Sequence, residues 1–337
     1  MRRPSGYVDG LISGATWGVV AVLLARLFSR MQDYPLLAML AVVSMVLETA
    51  AALFLLARAA VMGALPRVGR LLTSRTAVTV LWCGVLGGPI FMGGYVAALI
   101  LAGPADALTA IATYPVFGAL LARRVLGQRL NRIAWLGVTA AGIGAALTAF
   151  DADSSANKAR TLAGVAIGLA AAVGLALDGI VATRAMARMD PDTVAVAREM
   201  FVAVLFAVAV LIIPGGISLA RTVVMSRGFY LPTIVAGFIS GYSYMVWYHA
   251  IRKIGAARAM ALNITYAMWG ILFALIFRQA GVSPLAVAGC VIVSVGAVLT
   301  IMSGQRPARG AHHEQPQERL DPQGNAGRGS ARDRSAP

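Results

Sequence analysis

Long apolar blocks alternate with short polar stretches along the chain as far as about residue 302. Each block is about 20 residues long, the length of helix that crosses the ~30 Å hydrocarbon core of a bilayer at ~1.5 Å per residue. The pattern predicts an all-α polytopic membrane protein with ten transmembrane helices. We place the spans at 8–29, 36–57, 76–100, 104–124, 131–150, 162–183, 192–213, 229–250, 256–277 and 284–302.

The second half of the chain repeats the first. Residues 103–150 align with 255–302 without a gap, and Tyr-x-x-aromatic-Gly occurs in both, starting at Tyr114 and at Tyr266. We therefore predict two five-helix repeats, at 1–152 and 160–303. Because five is odd, the second repeat is inverted in the membrane relative to the first. Inverted repeats recur in secondary transporters, whose substrate sites lie near the midplane between the halves.

The net charge of +15 is explained by where the basic residues fall. With a cytoplasmic N-terminus, seventeen Lys and Arg flank the cytoplasmic ends of the spans and seven flank the other ends. The seven are Arg26, Arg30, Lys158, Arg160, Arg221, Arg227 and Arg278. This bias follows the positive-inside rule and predicts a bacterial inner-membrane protein with both termini in the cytoplasm. We expect no nucleic-acid partner, and we interpret residues 304–337, rich in Arg, Gly, Gln, Pro and Ser, as a disordered cytoplasmic tail.

The residues of familiar catalytic and metal sites do not occur together in this sequence. His249 is the one histidine before the tail, and Cys83 and Cys290 fall inside predicted spans. There is no Walker A sequence, so ATP does not drive this protein directly. We expect no enzymatic activity, no cofactor and no metal site.

Aromatic residues at mid-depth are the first candidates for a binding site. Trp17, Tyr114 and Tyr266 lie near the centres of their spans, too deep for the aromatic belts at membrane interfaces. Trp269 shares a helix face with Tyr266, because the two are three residues apart. A cation over such rings gains roughly 0.5–2 kcal/mol per ring. We predict that these four residues and Tyr244 bind substrate, with core packing as the alternative. For Tyr244, near the cytoplasmic end of its span, interface anchoring is a further alternative.

Four charged residues inside the spans form a second group of candidates: Glu48, Asp178, Arg198 and Glu199. A charge at the bilayer centre costs at least ~2.5–3.5 kcal/mol, so such residues are usually paired or functional. Asp178 and Arg198 lie at similar depth on consecutive spans, and we interpret them as a structural ion pair. Glu48 has no partner at its own depth in the sequence. It is protonated, pairs across the bundle, or titrates during transport.

Three segments resemble the drug/metabolite transporter superfamily, EamA type: "GLISGATWG" (Gly10–Gly18), "GPADALTAIATYP" (Gly103–Pro115) and "IGAARAMALNITYAMW" (Ile254–Trp269). The resemblance covers all ten predicted spans and excludes the tail. Within the superfamily, "GPIFM" and "ALNITYAMWGILFALIF" resemble the LicB-type choline permeases. That resemblance implies uptake of a quaternary ammonium through an aromatic box. Trp17, Tyr244, Tyr266 and Trp269 then stand at matching aromatic positions. These permeases carry a tryptophan where this sequence has Leu175, so one wall of the box differs.

These patterns together predict a secondary transporter of a small metabolite, a cationic or zwitterionic amine such as choline, that works by alternating access. Two alternatives stay open. One is an exporter of amino acids or drugs on the same fold, and the other is a membrane receptor or scaffold that transports nothing. Whether a proton is coupled to transport and whether the protein forms a homodimer also stay open.

Overall fold

The computed structural model describes residues 5–31, 33–125, 131–150, 158–277 and 284–302, and over these residues the chain is helical. The predicted tail, 304–337, lies outside them. The helices are α1 (Ser5–Phe28), α2 (Leu36–Val61), α3 (Leu65–Leu72), α4 (Thr76–Val85), α5 (Gly94–Ala102), α6 (Pro104–Ile111), α7 (Tyr114–Val125), α8 (Arg132–Phe150), α9 (Lys158–Met186), α10 (Pro191–Ile212), α11 (Gly216–Met225), α12 (Arg227–Ile254), α13 (Ala256–Asn263), α14 (Tyr266–Ile276) and α15 (Pro284–Met302). A π-helix, Leu86–Gly93, joins α4 to α5.

Within the described residues, six continuous helical stretches are long and apolar enough to cross a membrane. They are α1, α2, the α4–α5 stretch, α9, α10 and α12. This agrees with the all-helical, multi-pass fold that hydropathy predicts. The other four predicted spans correspond to the broken pairs α6–α7 and α13–α14 and to α8 and α15, which pack against each other. The number ten therefore stays a prediction.

The backbone repeats itself at the spacing of 152 residues that the sequence alignment gives. Gly103 and Gly255 end α5 and α12 with φ of +84° and +87°. Side chains disfavour that left-handed region, which explains glycine at both positions. The helix after each glycine then breaks between α6 and α7 and between α13 and α14. At each break a threonine hydroxyl donates to the carbonyl three residues earlier, Thr113 to Ala110 at 2.6 Å and Thr265 to Leu262 at 2.8 Å.

The π-helix is a point where the two repeats differ. It contains Pro89, which has no N–H to donate. The corresponding part of the second repeat, in α12, is α-helical throughout. The wider turns of the π-helix carry Phe91 towards Trp17 and place Gly87 against the side chains of Asp178 and Arg198. Single π-helical turns inside α-helices are often found at functional sites.

Helix α1 presents a row of glycines, Gly6, Gly10, Gly14 and Gly18, to the second repeat. A Cβ at Gly10 would lie 2.8 Å from Leu262 Cβ, and one at Gly18 would lie 2.7 Å from Trp269 Cβ. These distances are too short for real side chains. Small residues at every fourth position thus let α1 pack directly on α13 and α14.

Ion pairs join several helices at one end of the bundle. Lys253 contacts Asp9 at 2.6 Å, and Asp192 accepts from Arg58 at 3.1 Å and contacts His249 at 2.9 Å. Arg26, at the other end of α1, donates to the Phe277 carbonyl at 2.8 Å. The charge count assigned Arg58 and Lys253 to one side and Arg26 to the other, and the structure groups them in the same way. Which end faces the cytoplasm stays a prediction.

Candidate functional site

A small cavity lies where helices of both repeats meet. Six aromatic and three other side chains line it: Trp17, Phe91, Tyr95, Ile111, Leu175, Tyr244, Trp247, Asn263 and Tyr266. None of these nine carries a formal charge. The cavity measures about 20 Å³. A cavity that holds one water needs ~10–15 Å³, so the walls must separate before a ligand larger than water can enter.

Trp17 is the centre of the aromatic wall. Its ring meets three others edge-on: Phe91 at a centroid distance of 5.9 Å, Tyr95 at 6.1 Å and Tyr244 at 5.6 Å. Edge-to-face pairs are favoured because the positive edge of one ring meets the negative face of another. Phe91 and Tyr95 stack nearly parallel, at 13°. The rings thus hold one another in place without a ligand.

Asn263 is the one lining residue whose polar side chain is not aromatic, and buried hydrogen bonds fix its amide. Its Nδ2 donates to Ser13 Oγ at 2.7 Å, and its Oδ1 accepts from Tyr114 Oη at 2.7 Å. Tyr114 Oη also contacts the Met260 carbonyl oxygen at 2.8 Å, and Ser243 Oγ donates to the Ser13 carbonyl at 3.0 Å. Four helices, α1, α7, α12 and α13, are joined in this way directly behind the cavity.

The two tyrosines at matching positions of the repeats have different surroundings. Tyr266 lines the cavity, whereas Tyr114 lies one layer behind it and reaches Asn263. Asn263 and Ile111 are themselves 152 residues apart and occupy equivalent positions, both in the cavity wall. The Ile111 side chain has no acceptor, so Tyr266 cannot make the bond that Tyr114 makes. The repeats thus differ at this pair in the same place where one tyrosine faces the cavity and the other does not.

Of the five aromatic residues predicted to bind substrate, Trp17, Tyr244 and Tyr266 line the cavity. Tyr114 contacts it only through Asn263. Trp269 is half-buried, stacks on Phe273 at 6.0 Å and packs on Gly18, outside the lining set. Binding by any of the five stays a prediction.

Sequence reasoning missed five lining residues: Phe91, Tyr95, Ile111, Trp247 and Asn263. The first two lie in and just after the π-helix, where the Gly-Pro-rich sequence signals a kink without indicating which side chains turn inward. Asn263 carried a usable signal, because it is a polar residue in the middle of a predicted span. Tyr244, for which interface anchoring was an alternative, and its neighbour in the wall, Trp247, are only 1% and 2% exposed and lie inside the bundle.

The four intramembrane charged residues form one cluster beside the cavity, with no exposed surface on any of them. Arg198 donates to Glu199 Oε1 through Nη1 and to Asp178 Oδ2 through Nη2, the latter at 3.4 Å. Tyr248 Oη donates to the other oxygen of Asp178 at 3.2 Å. The ion pair predicted between Asp178 and Arg198 is thus present and is extended by Glu199 and Tyr248.

Glu48 belongs to this cluster although it has no basic partner of its own. Its carboxyl lies in hydrogen-bonding range of Glu199 and interacts electrostatically with Arg198 and Asp178 as well. Among the described residues, no donor reaches either oxygen of Glu48 or the Oε2 atom of Glu199. A pairing across the bundle, one of the three alternatives for Glu48, therefore takes the form of two facing carboxyl groups.

Tyr244 belongs to both sites. Its ring lines the cavity on one side, and the Arg198 guanidinium carbon lies 3.9 Å from its centroid. At that distance a guanidinium gains cation–π energy, more so when it is removed from water. A single aromatic ring thus separates the uncharged cavity from four buried charged groups.

Comparison with known proteins decides the class of this two-repeat helical fold. The profile of the EamA-like transporter family matches residues 4–150 and, a second time, residues 162–302. The chain belongs to the EamA-like transporter family. As a member of this family, within the drug/metabolite transporter superfamily, it is a multi-pass membrane transporter of small molecules. The family is generally non-enzymatic.

Two individual similarities accompany the family match. The sequence is 24% identical to Protein LicB of Haemophilus influenzae (strain ATCC 51907 / DSM 11121 / KW20 / Rd) over 219 residues, which are 65% of this chain and 73% of that protein. A protein of known crystal structure superposes with a TM-score of 0.62 at 19% identity, covering 89% of this chain and 97% of that one. At that identity the superposition supports the fold alone.

Proposed function

We propose that this EamA-like transporter moves a small cationic or zwitterionic amine, with choline as the favoured example, across a bacterial inner membrane by alternating access. The observation that carries the proposal is the composition of the cavity wall, six aromatic rings and no formal charge.

Such a wall suits a quaternary ammonium better than a primary amine or a metal ion. A quaternary ammonium is weakly hydrated and has no N–H to donate, so it needs no carboxylate in contact with it. Ring faces can replace its hydration at roughly 0.5–2 kcal/mol each. Trp17, Tyr244 and Tyr266 are the rings we assign to this role.

The charge cluster supplies the complementary long-range field. It contains three carboxyl groups and one guanidinium behind the ring of Tyr244. With all three carboxyls ionised its net charge is negative, which favours a cation in the cavity without a direct salt bridge, and a salt bridge would slow release.

Leu175 is the position at which this cavity differs from the aromatic box of the choline permeases. It lines the cavity at the position where the choline permeases have a tryptophan. An aliphatic wall removes one ring face and leaves more room. We therefore expect a preference for amines at least as bulky as choline.

The architecture supports the mechanism. Two repeats meet at the cavity, and helices α6–α7 and α13–α14 break beside it, as in transporters that rock one repeat against the other. The cavity of about 20 Å³ must widen before it can hold an amine, and a movement of one repeat against the other would widen it. We propose ten spans, both termini in the cytoplasm, and a proton as the coupling ion.

A pair of ligands with the same shape tests the proposal. Choline and 3,3-dimethylbutan-1-ol differ in that a carbon replaces the charged nitrogen. We expect choline, and not the neutral alcohol, to raise the melting temperature of the purified protein, since a ligand at 100 times its Kd stabilises by ~2.7 kcal/mol. Labelled choline should accumulate in proteoliposomes, and the alcohol should not compete.

Equal effects of the two compounds would show that charge is not recognised and would refute an amine site. A melting-temperature shift with choline but no flux in either direction would favour a receptor. A shift with amino acids or hydrophobic drugs, and none with choline, would favour the exporter.

A further inference from the structure

The facing carboxyls of Glu48 and Glu199 pose a problem of charge. Both side chains are fully buried, and within the described residues their facing oxygens, both of Glu48 and Oε2 of Glu199, receive no donor. Two ionised carboxylates cannot hydrogen-bond to each other, because each has only acceptor atoms. Two like charges in contact also cannot both stay ionised in a low dielectric, which is why paired acids share a proton.

The remaining groups of the cluster cannot supply the missing charge. Arg198 is the one cation, and its two terminal nitrogens already contact Glu199 and Asp178. Tyr248 on α12 donates to Asp178, and Cys83 on α4 also faces Asp178. Three carboxyls around a single guanidinium leave a formal charge of about −2 if all ionise, and an unpaired buried ion costs several kcal/mol.

A path from this cluster to the cavity runs through one side chain. The ring of Tyr244 covers Arg198 and lines the cavity, and its buried hydroxyl interacts electrostatically with Arg198, Glu48 and Glu199. That hydroxyl has no hydrogen-bond partner among the described residues. A charge placed in the cavity is therefore one ring away from Arg198, which contacts Glu199.

We propose that Glu48 and Glu199 hold one exchangeable proton between them, and that a cation in the aromatic cavity expels this proton across the Tyr244–Arg198 contact. The proposal rests on the proposed function for its second half only. When the proton leaves, Glu48 becomes the counter-charge of the bound amine. When the amine leaves, the proton returns, so cluster and cavity together carry the same net charge in both states.

The sign of the linkage follows from electrostatics. A cation in the cavity favours the ionised carboxylate, so binding releases protons, and by reciprocity a proton on the pair weakens cation binding by the same factor. At full coupling one proton leaves per amine, and the apparent Kd falls tenfold per pH unit over the range in which the pair is protonated in the free protein and ionised in the complex. Partial coupling gives a smaller slope of the same sign.

Two measurements on the full-length protein test the proposal. Infrared difference spectra of the ligand-free protein should contain the C=O stretching band of a protonated carboxyl at neutral pH, and Glu48→Gln should remove it. Calorimetric titration with choline in two buffers of different ionisation enthalpy should count up to one proton released per choline. In Glu48→Gln the count should fall to zero and the affinity should become independent of pH, because the amide can donate to Glu199 without a shared proton.

Matched variants keep the outcomes separate. Asp9→Asn, which alters a carboxyl at the end of the bundle paired with Lys253, should leave the band and the proton count unchanged. Glu199→Gln serves as the second test if Glu48→Gln does not fold.

A wild-type protein without the infrared band overturns the proposal, whether or not choline binds. A band that Glu48→Gln removes, in a protein that binds no amine at any pH, supports the proton site and refutes the proposed substrate and the coupling. Choline binding with no proton release, or with the same release in both Gln variants as in wild type, refutes the coupling alone.

Discussion

Replacing Tyr114 by Phe removes one hydroxyl and leaves the ring, which makes it a clean test of the polar junction behind the cavity. Tyr114 is fully buried, and its hydroxyl contacts Asn263 Oδ1 and the Met260 carbonyl oxygen. The Met260 carbonyl keeps a second donor, the amide N–H of Ile264 at 3.1 Å. Within the described part of the chain, the Tyr114 hydroxyl is the donor to the Asn263 oxygen, so the substitution deprives one buried acceptor of its bond.

The expected loss of stability follows from the one buried acceptor that loses its donor. A neutral hydrogen bond contributes about 0.5–1.5 kcal/mol net, and a buried acceptor left without a donor costs about 1–3 kcal/mol. Asn263 is 4% exposed, so water does not easily replace the lost donor. We expect Tyr114→Phe to destabilise the protein by about 1–3 kcal/mol. The effect on choline affinity should be the smaller one, since the cavity rings stay in place.

Denaturation of the purified protein in detergent, together with choline titration, measures both quantities. Tyr242→Phe is the control, because Tyr242 is 37% exposed at the outer surface of α12 and should tolerate loss of its hydroxyl. Wild-type stability of Tyr114→Phe would refute the reasoning from the buried acceptor. Normal stability combined with a loss of affinity as large as that of Trp17→Ala would instead make Tyr114 a binding residue.

Two further outcomes are expected. Trp17→Ala should weaken choline binding by about 2- to 30-fold, the equivalent of one cation–π face, and Trp17→Phe should retain part of that affinity because a ring face remains. Trp82→Ala is the control, since Trp82 is 58% exposed. Equal choline binding by Trp17→Ala and wild type would show that the Trp17 ring serves core packing only. Reporter fusions at Ser155 and at the C-terminus should report opposite sides of the membrane, and a shared side would mean that the number of spans is wrong.

The parts of the fold set by local composition were predictable. Hydropathy placed the helices, and the distribution of arginine grouped Arg58 with Lys253 and separated Arg26, because loop charge follows topology. The alignment at 152 residues also anticipated that Gly103 and Gly255 play the same role. In each case the determining residues lie within a single segment.

The site was predictable only in part, because it depends on contacts between segments. Trp17 and Tyr266 were recognisable from their depth. The difference between Tyr114 and Tyr266 was not, since it depends on whether position 111 or 263 offers an acceptor across the repeat interface. The pairing of Glu48 with Glu199 likewise joins α2 to α10, and no spacing within either helix indicates it.

The row of glycines on α1 bears on how fast such a protein can work. Where the side-chain ridges of one helix fill the grooves of another, the two helices must move apart before one can shift along the other. Gly6, Gly10, Gly14 and Gly18 give α1 a smooth face against α12, α13 and α14 along most of its length. If the repeats move against each other as proposed, this face lets them shift with few side chains to separate. Because a Cβ at Gly10 or Gly18 already comes within 2.8 Å of the second repeat, a larger side chain there should push α1 away from it and lower stability as well as the turnover number.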